Sequence, residues 1–204
     1  MHIPDSLRDS GCLYLHGFLS SPASEKAQQV IELFAQHPEL GTVSAPFLNF
    51  APADAIALAQ RELEALQQRH DKVWIIGSSL GGFYATWLSQ KNGIPAALIN
   101  PAVRPHELFR HYLGDHTHYH TGETVTLESW HLDQLEQLSC AHIRQPELLL
   151  LLLQTGDETL DYRHAADLYR ACPGWIEGGG NHSFEHFIER MPQILGHVAR
   201  AISG

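Results

Sequence analysis

The feature that most constrains this chain is Ile75-Ile76-Gly77-Ser78-Ser79-Leu80-Gly81-Gly82, an apolar run that ends in Gly-x-Ser-x-Gly and passes directly into a helix-like stretch. Residues 73–76 read as a buried strand and 80–90 as a helix, so Ser79 stands at the turn between them. A serine in that place is forced into a strained backbone conformation. Gly77 and Gly81, two residues to either side, let neighbouring backbone pass without side-chain collision. The turn presents the hydroxyl, and the helix N-terminus behind it offers unpaired N–H groups and a partial positive charge. Ser79 is therefore read as a nucleophile, and the Leu80 N–H as a donor to an oxyanion formed beside it.

The rest of the chain alternates in a way that suits such a turn. Strands are expected at 13–15, 42–45, 95–100, 148–153 and 175–177, and helices at 24–36, 53–69, 162–171 and 184–202. Alternation of this kind builds a three-layer α/β/α fold around a mostly parallel sheet. The uninterrupted apolar run 148–153 is what a strand covered on both faces requires. Between 103 and 145 the pattern becomes polar and irregular, with seven histidines and two short helical stretches, 106–113 and 132–138. A single domain over 1–204 is expected, with 103–145 as a small cap-like insertion.

At 204 residues and 44% hydrophobic, the chain has enough apolar material for one sizeable core. A formal net charge of −10 without any Lys/Arg cluster argues against nucleic acid and against an anionic membrane surface as partners, and favours a small neutral or cationic substrate. Cys12, Cys140 and Cys172 are odd in number and widely spaced, as free thiols in a reducing compartment would be. Residues 1–11 carry Asp5, Arg8 and Asp9 and no apolar secretory core, and no run reaches transmembrane length. A cytoplasmic protein is expected. Its oligomeric state is not readable from these features.

A nucleophilic serine needs a base, and the base needs an orienting carboxylate. In open parallel sheets the functional loops lie at the carboxyl ends of the strands. The strand at 148–153 runs into Gln154-Thr155-Gly156-Asp157-Glu158, which makes Asp157 the first choice for the acid. Glu158 and Asp161 compete, although Asp161 is more simply the N-cap of the next helix. The following strand leads through three glycines to Asn181-His182-Ser183-Phe184, and His182 is the chosen general base. The order Ser79, Asp157, His182 is that of the α/β-hydrolase triad. A second oxyanion donor is expected from the loop after the first strand, His16-Gly17-Phe18. There Gly17 permits close approach, the Phe18 N–H donates and His16 fixes the loop by hydrogen bonding.

Taken together, Leu13-Tyr14-Leu15-His16-Gly17-Phe18-Leu19-Ser20-Ser21-Pro22, Ile76-Gly77-Ser78-Ser79-Leu80-Gly81-Gly82-Phe83-Tyr84-Ala85-Thr86-Trp87, Asn100-Pro101-Ala102-Val103-Arg104-Pro105, Gln154-Thr155-Gly156-Asp157-Glu158 and Asn181-His182-Ser183-Phe184 make the chain resemble the α/β-hydrolase superfamily. More closely, it resembles the small bacterial YqiA/YcfP-type esterases. The resemblance implies a reduced hydrolase sheet, a triad of Ser79, Asp157 and His182, and carboxylic-ester hydrolysis without metal or organic cofactor; a cap closed over Ser79 would make the pocket small and favour small, short-acyl esters. An acyl thioesterase would use the same triad, with Arg104 and Arg110 as the cap's cationic groups. A non-catalytic binding protein could also be built on the scaffold. The alternating His116, His118 and His120 have a spacing that could chelate a metal, although no carboxylate or cysteine cluster completes a site. Phe18, Phe47, Tyr84, Phe109, Tyr112, Trp130 and Phe184 are the candidate pocket aromatics.

Overall fold

Successive residues of a strand face opposite sides of a sheet, and here the sequence supplies apolar side chains to both. The computed structural model describes residues 2–118 and 122–203. Its strands are β1 (Ser10–Leu15), β2 (Gly41–Ser44), β3 (Val73–Ser78), β4 (Ala96–Ile99), β5 (Gly114–Thr117), β6 (Thr124–Leu127), β7 (Leu149–Gln154) and β8 (Gly174–Glu177). The α-helices are α1 (Glu25–Gln36), α2 (Pro52–Gln67), α3 (Leu80–Asn92), α4 (Pro105–Leu108), α5 (Ser129–Gln137), α6 (Tyr162–Leu168) and α7 (Met191–Ser203).

Six strands form one sheet in the order β2-β1-β3-β4-β7-β8, with every neighbouring pair parallel. Leu13, Leu15, Ile75, Leu98, Leu149, Leu151 and Leu153 pack on one face with residues of α2, α3, α5 and α6. Their alternates Cys12, Tyr14, Trp74, Ile76, Ile99, Leu150 and Leu152 pack on the other face with α1 and α7. The five consecutive leucines of β7 therefore serve both layers, which is why that run has no polar interruption. After β1 the chain goes out to β2 and then returns to place β3 on the opposite side of β1. Strand order reverses there, and a crevice opens between the carboxyl ends of β1 and β3.

The boundaries differ from the sequence reading in instructive places. β1 begins at Ser10, whose Oγ donates to Leu40 O and accepts from Trp74 Nε1, both at 3.1 Å. Upstream, Ile3 and Leu7 are buried in the layer of α1 and α7, so the polar leader is anchored. The segment 103–145 contains, besides α4 and α5, an antiparallel hairpin of β5 and β6 that the short polar runs did not announce. α5 starts at Ser129 rather than 132. There the Glu128 side chain accepts from the His131 N–H while His131 Nδ1 accepts from Glu128 N–H at 3.0 Å.

The closing helix starts at Met191 rather than 184. Phe184 and His186 have φ of 61° and 58°, which no α-helix accommodates. All three cysteines are free, with Cys12 buried, and burial pushes its thiol well above the ordinary range. No helix among the described residues is long and apolar enough to cross a membrane.

Candidate active site

β3 runs into α3 at Ser79, which adopts φ 55° and ψ −122°. A positive φ costs a residue other than glycine about 1–3 kcal/mol. Neighbouring backbone holds the turn against that cost. Ser79 N–H donates to Ile99 O at 3.0 Å, and Ser79 O accepts from Gly82 N–H at 2.9 Å and Ala102 N–H at 3.0 Å. The flanking glycines are required by contact as well. A Cβ on Gly77 would lie 2.3 Å from Gly81 O, and one on Gly81 would lie 2.0 Å from Leu15 O.

The loop after β1 comes equally close, for a Cβ on Gly17 would meet Ser79 Cβ at 3.2 Å. His16 is buried, and its Nε2 accepts from Leu48 N–H at 2.9 Å. The ring proton therefore sits on Nδ1, which donates to Gly17 O at 2.9 Å. His16 thus ties the Gly17 loop to the segment before α2, as a structural histidine would. Phe18 and Leu80 line the same cleft as Ser79 and His182, and neither main-chain N–H donates a hydrogen bond among the described residues.

The two remaining groups come from loops after β7 and β8. His182 Nε2 stands 3.0 Å from Ser79 Oγ, and its Nδ1 stands 2.8 Å from Asp157 Oδ2 and 3.0 Å from Oδ1. Asp157 holds Nδ1 as the protonated nitrogen, which leaves Nε2 to accept from the serine hydroxyl. The Asp157 side chain is only 2% exposed, and it also accepts from the N–H groups of Leu160 and Thr159 at 2.8 and 2.9 Å. Burial works to raise its pKa. The hydrogen bonds from His182, Leu160 and Thr159, with the charge of His182, outweigh burial and hold the carboxyl below its ordinary value.

The two competing carboxylates have other partners. Glu158 accepts from the main-chain N–H of His182 at 2.9 Å, and this bond lowers its pKa. Asp161 caps α6 through Arg163 N–H and binds the Arg163 guanidinium, which takes its carboxyl down to about 2.

Two residues to which the sequence analysis gave no role of their own hold the histidine loop in place. Asn100, at the end of β4, is 2% exposed and donates from Nδ2 to Asn181 O and His182 O at 3.1 and 3.2 Å. Its Oδ1 accepts from Gln154 N–H at 3.0 Å. Gln154 Oε1 accepts from Asn181 N–H at 3.2 Å and from Glu185 N–H at 2.8 Å, while Nε2 donates to Glu185 O at 3.0 Å. The available signal was a single polar residue closing each of two wholly apolar strands. Replacing Gln154 by Leu leaves the part-buried N–H groups of Asn181 and Glu185 without this acceptor. We expect Gln154→Leu to cost about 2 kcal/mol in unfolding free energy, read by urea titration. Turnover should fall through kcat rather than KM, since the loop carrying His182 is loosened.

The cleft over Ser79 has a volume of about 970 Å³, and Phe18, Phe109, Tyr112 and Phe184 line it. Tyr84 is buried and lines a separate small pocket, while Phe47 and Trp130 are exposed away from the cleft. Segment 103–145 supplies part of the wall through Leu108, Phe109, Tyr112 and His116. The His116 ring lies edge-on to Phe18 at 5.9 Å and bonds to Tyr112 O, while His118 Nε2 bonds to Ser20 O at 3.1 Å. His120, the third member of the alternating set, lies outside the described residues. Arg104 pairs with Glu107 and lines a separate cavity, not the Ser79 cleft.

A family model described as "Uncharacterised protein family (UPF0227)" matches residues 11–199. The chain belongs to UPF0227. Its fold is similar to that of α/β hydrolases, and solved structures align over nearly all of it. Est1E from Butyrivibrio proteoclasticus, in a structure with bound ferulic acid, aligns with TM-score 0.68 and 16% identity over 100% of this chain and 94% of that one. The esterase domain of a Rhodothermus marinus protein aligns with TM-score 0.63 and 19% identity over 98% and 90%. Mouse alpha/beta hydrolase domain-containing protein 10 aligns with TM-score 0.67 and 14% identity over 96% and 92%. At these identities the likeness is one of fold.

Proposed function

We propose that this UPF0227 member is a serine-dependent carboxylic-ester hydrolase working through Ser79, His182 and Asp157. The observation that carries the reading is the His182 imidazole, within hydrogen-bonding distance of Ser79 Oγ on one side and of Asp157 on the other. As the Ser79 oxygen attacks the ester carbonyl, its proton passes to His182 Nε2, and Asp157 stabilises the resulting imidazolium. The carbonyl electron pair moves onto oxygen, where the free N–H groups of Leu80 and Phe18 are placed to receive it. Collapse breaks the ester C–O bond and the departing alcohol takes the proton from Nε2. Water then repeats the sequence on the acyl-enzyme, returning the acid and the serine.

The cleft is roomier than a short acyl chain needs, so the substrate class extends to esters carrying an aromatic or medium-length group. An acyl thioesterase would share the same steps, but Arg104 does not reach this cleft. A fluorophosphonate probe tests the reading against a non-catalytic scaffold. Labelling should map to Ser79 by mass spectrometry. Because the Asp157 pKa is lowered, its carboxylate stays ionised, and protonation of Asp157 should not slow labelling above about pH 4. Failure of the probe to label Ser79 would sink the proposal.

A further inference from the structure

The Ser79 cleft contains one permanent positive charge. Among the described residues that line it, Lys26 is the only lysine or arginine, in a chain of formal net charge −10. Lys26 is partly buried, and its Nζ donates to Ser183 O at 2.6 Å, one residue beyond His182. Two of the three ammonium donors remain for another acceptor. No carboxylate among the described residues forms an ion pair with it. The two glutamates of the cleft have neutral partners instead: Glu25 accepts from Gln29 at 3.1 Å and Glu185 from Asn181 at 3.0 Å. An ammonium withdrawn from water without a counter-ion is unfavourable. Burial lowers the Lys26 pKa accordingly, against the opposing pull of Glu25 and Asp157.

The backbone around Lys26 has the same polarity. Lys26 is the second residue of α1, whose N-cap Ser24 makes no side-chain cap hydrogen bond, so the first amides of the helix are left for an outside acceptor. Ser24, Glu25, Lys26 and Gln29 all line the cleft. The ammonium, the uncapped helix amides, the Ser24 hydroxyl and the Gln29 carboxamide are donors for an oxyanion in one wall, in which Glu25 is the one carboxylate and is bonded to Gln29. The net negative charge of the whole chain does not cancel it, because salt screens charges more than about 8 Å away while the local ammonium acts at contact.

We propose that the ester hydrolysed at Ser79 carries an anionic oxygen group, a carboxylate or a phosphate, which docks on Lys26 and the first turn of α1. The proposal rests on the serine-hydrolase reading and narrows its substrate to a hemi-ester or a phosphorylated ester. The anionic end lies against α1, and the apolar part lies against Phe18, Phe109 and Tyr112. The neutral or cationic substrate suggested by overall charge is thereby replaced by an anionic one, whose charged end meets the Lys26 ammonium directly.

Two measurements decide the matter. The first is the ratio of kcat/KM for mono-p-nitrophenyl glutarate to that for its methyl ester, in the native protein and in Lys26→Met. The native ratio should favour the charged ester, and the substitution should lower it about tenfold through KM. If both rates fall together and the ratio stays, Lys26 only braces the Ser183 carbonyl and the proposal is overturned. The second is calorimetric binding of glutarate and of inorganic phosphate to Ser79→Ala. Binding of either anion that disappears in Ser79→Ala/Lys26→Met supports the site and tells carboxylate from phosphate. No binding of either overturns it. If the native protein hydrolyses neither ester but anion binding depends on Lys26, the hydrolase reading fails and the anion site stands.

Discussion

Ser79→Ala should remove nearly all hydrolysis of p-nitrophenyl esters, with kcat falling by a factor on the order of 10⁴–10⁶. The expected size follows from how the site is divided. Removing Oγ leaves His182 without a group to deprotonate, while the N–H groups of Leu80 and Phe18 remain, so a residual rate above the buffer reaction should survive. The substitution should not unfold the protein, since the turn is held by the main-chain bonds to Ile99, Gly82 and Ala102, which alanine retains. Ser79→Gly separates chemistry from strain. It should be equally inactive but melt higher, because glycine adopts a φ of 55° without the penalty paid by serine. Equal ester turnover in native protein and Ser79→Ala would mean that the hydrolysis occurs elsewhere.

The largest expected stability effect is at Gly81→Ala. In an ordinary helix, glycine to alanine is worth up to about 1 kcal/mol of stabilisation. At this position the sign should reverse, since the new Cβ would fall 2.0 Å from Leu15 O and 2.6 Å from His16 O, main-chain atoms of β1 and its following loop. Backbone cannot yield as a flexible side chain does. A loss of about 3 kcal/mol or more is expected, lowering the melting temperature by roughly 10 °C in a protein of this size. Gly196→Ala in α7 is the matched control, because its Cβ would meet only Arg200 Nη1 at 3.6 Å, and it should be neutral or stabilising. Similar melting temperatures for the two variants would contradict the close packing of α3 on β1.

The parts of the site legible in sequence were those whose physics is local. Gly77, Ser79 and Gly81 are dictated by one tight turn, and alternation of apolar strands with amphipathic helices was enough to place Asp157 and His182 at the same sheet edge. What sequence could not reveal depended on groups far apart in the chain. The start of α7 at Met191 goes with the positive φ of Phe184 and His186, in a stretch whose main chain Gln154 binds at Asn181 and Glu185. Nothing in 184–190 itself announces this. The β5–β6 hairpin was hidden for a related reason: its residues are short, polar and mostly solvent-facing, so they carry little of the apolar alternation that marks a strand. Lys26 was equally silent, one lysine in a helix, until folding set it beside Ser183.

The latch formed by Asn100 and Gln154 has a consequence for how such a molecule can change over time. Both residues belong to the ends of central strands, and between them they fix the histidine loop to the sheet. Part of the apolar wall that a substrate would meet is supplied separately, by segment 103–145. Reaction machinery and recognition surface are thus mounted on different supports. New substrate preferences could be acquired by remodelling the second without retuning the first.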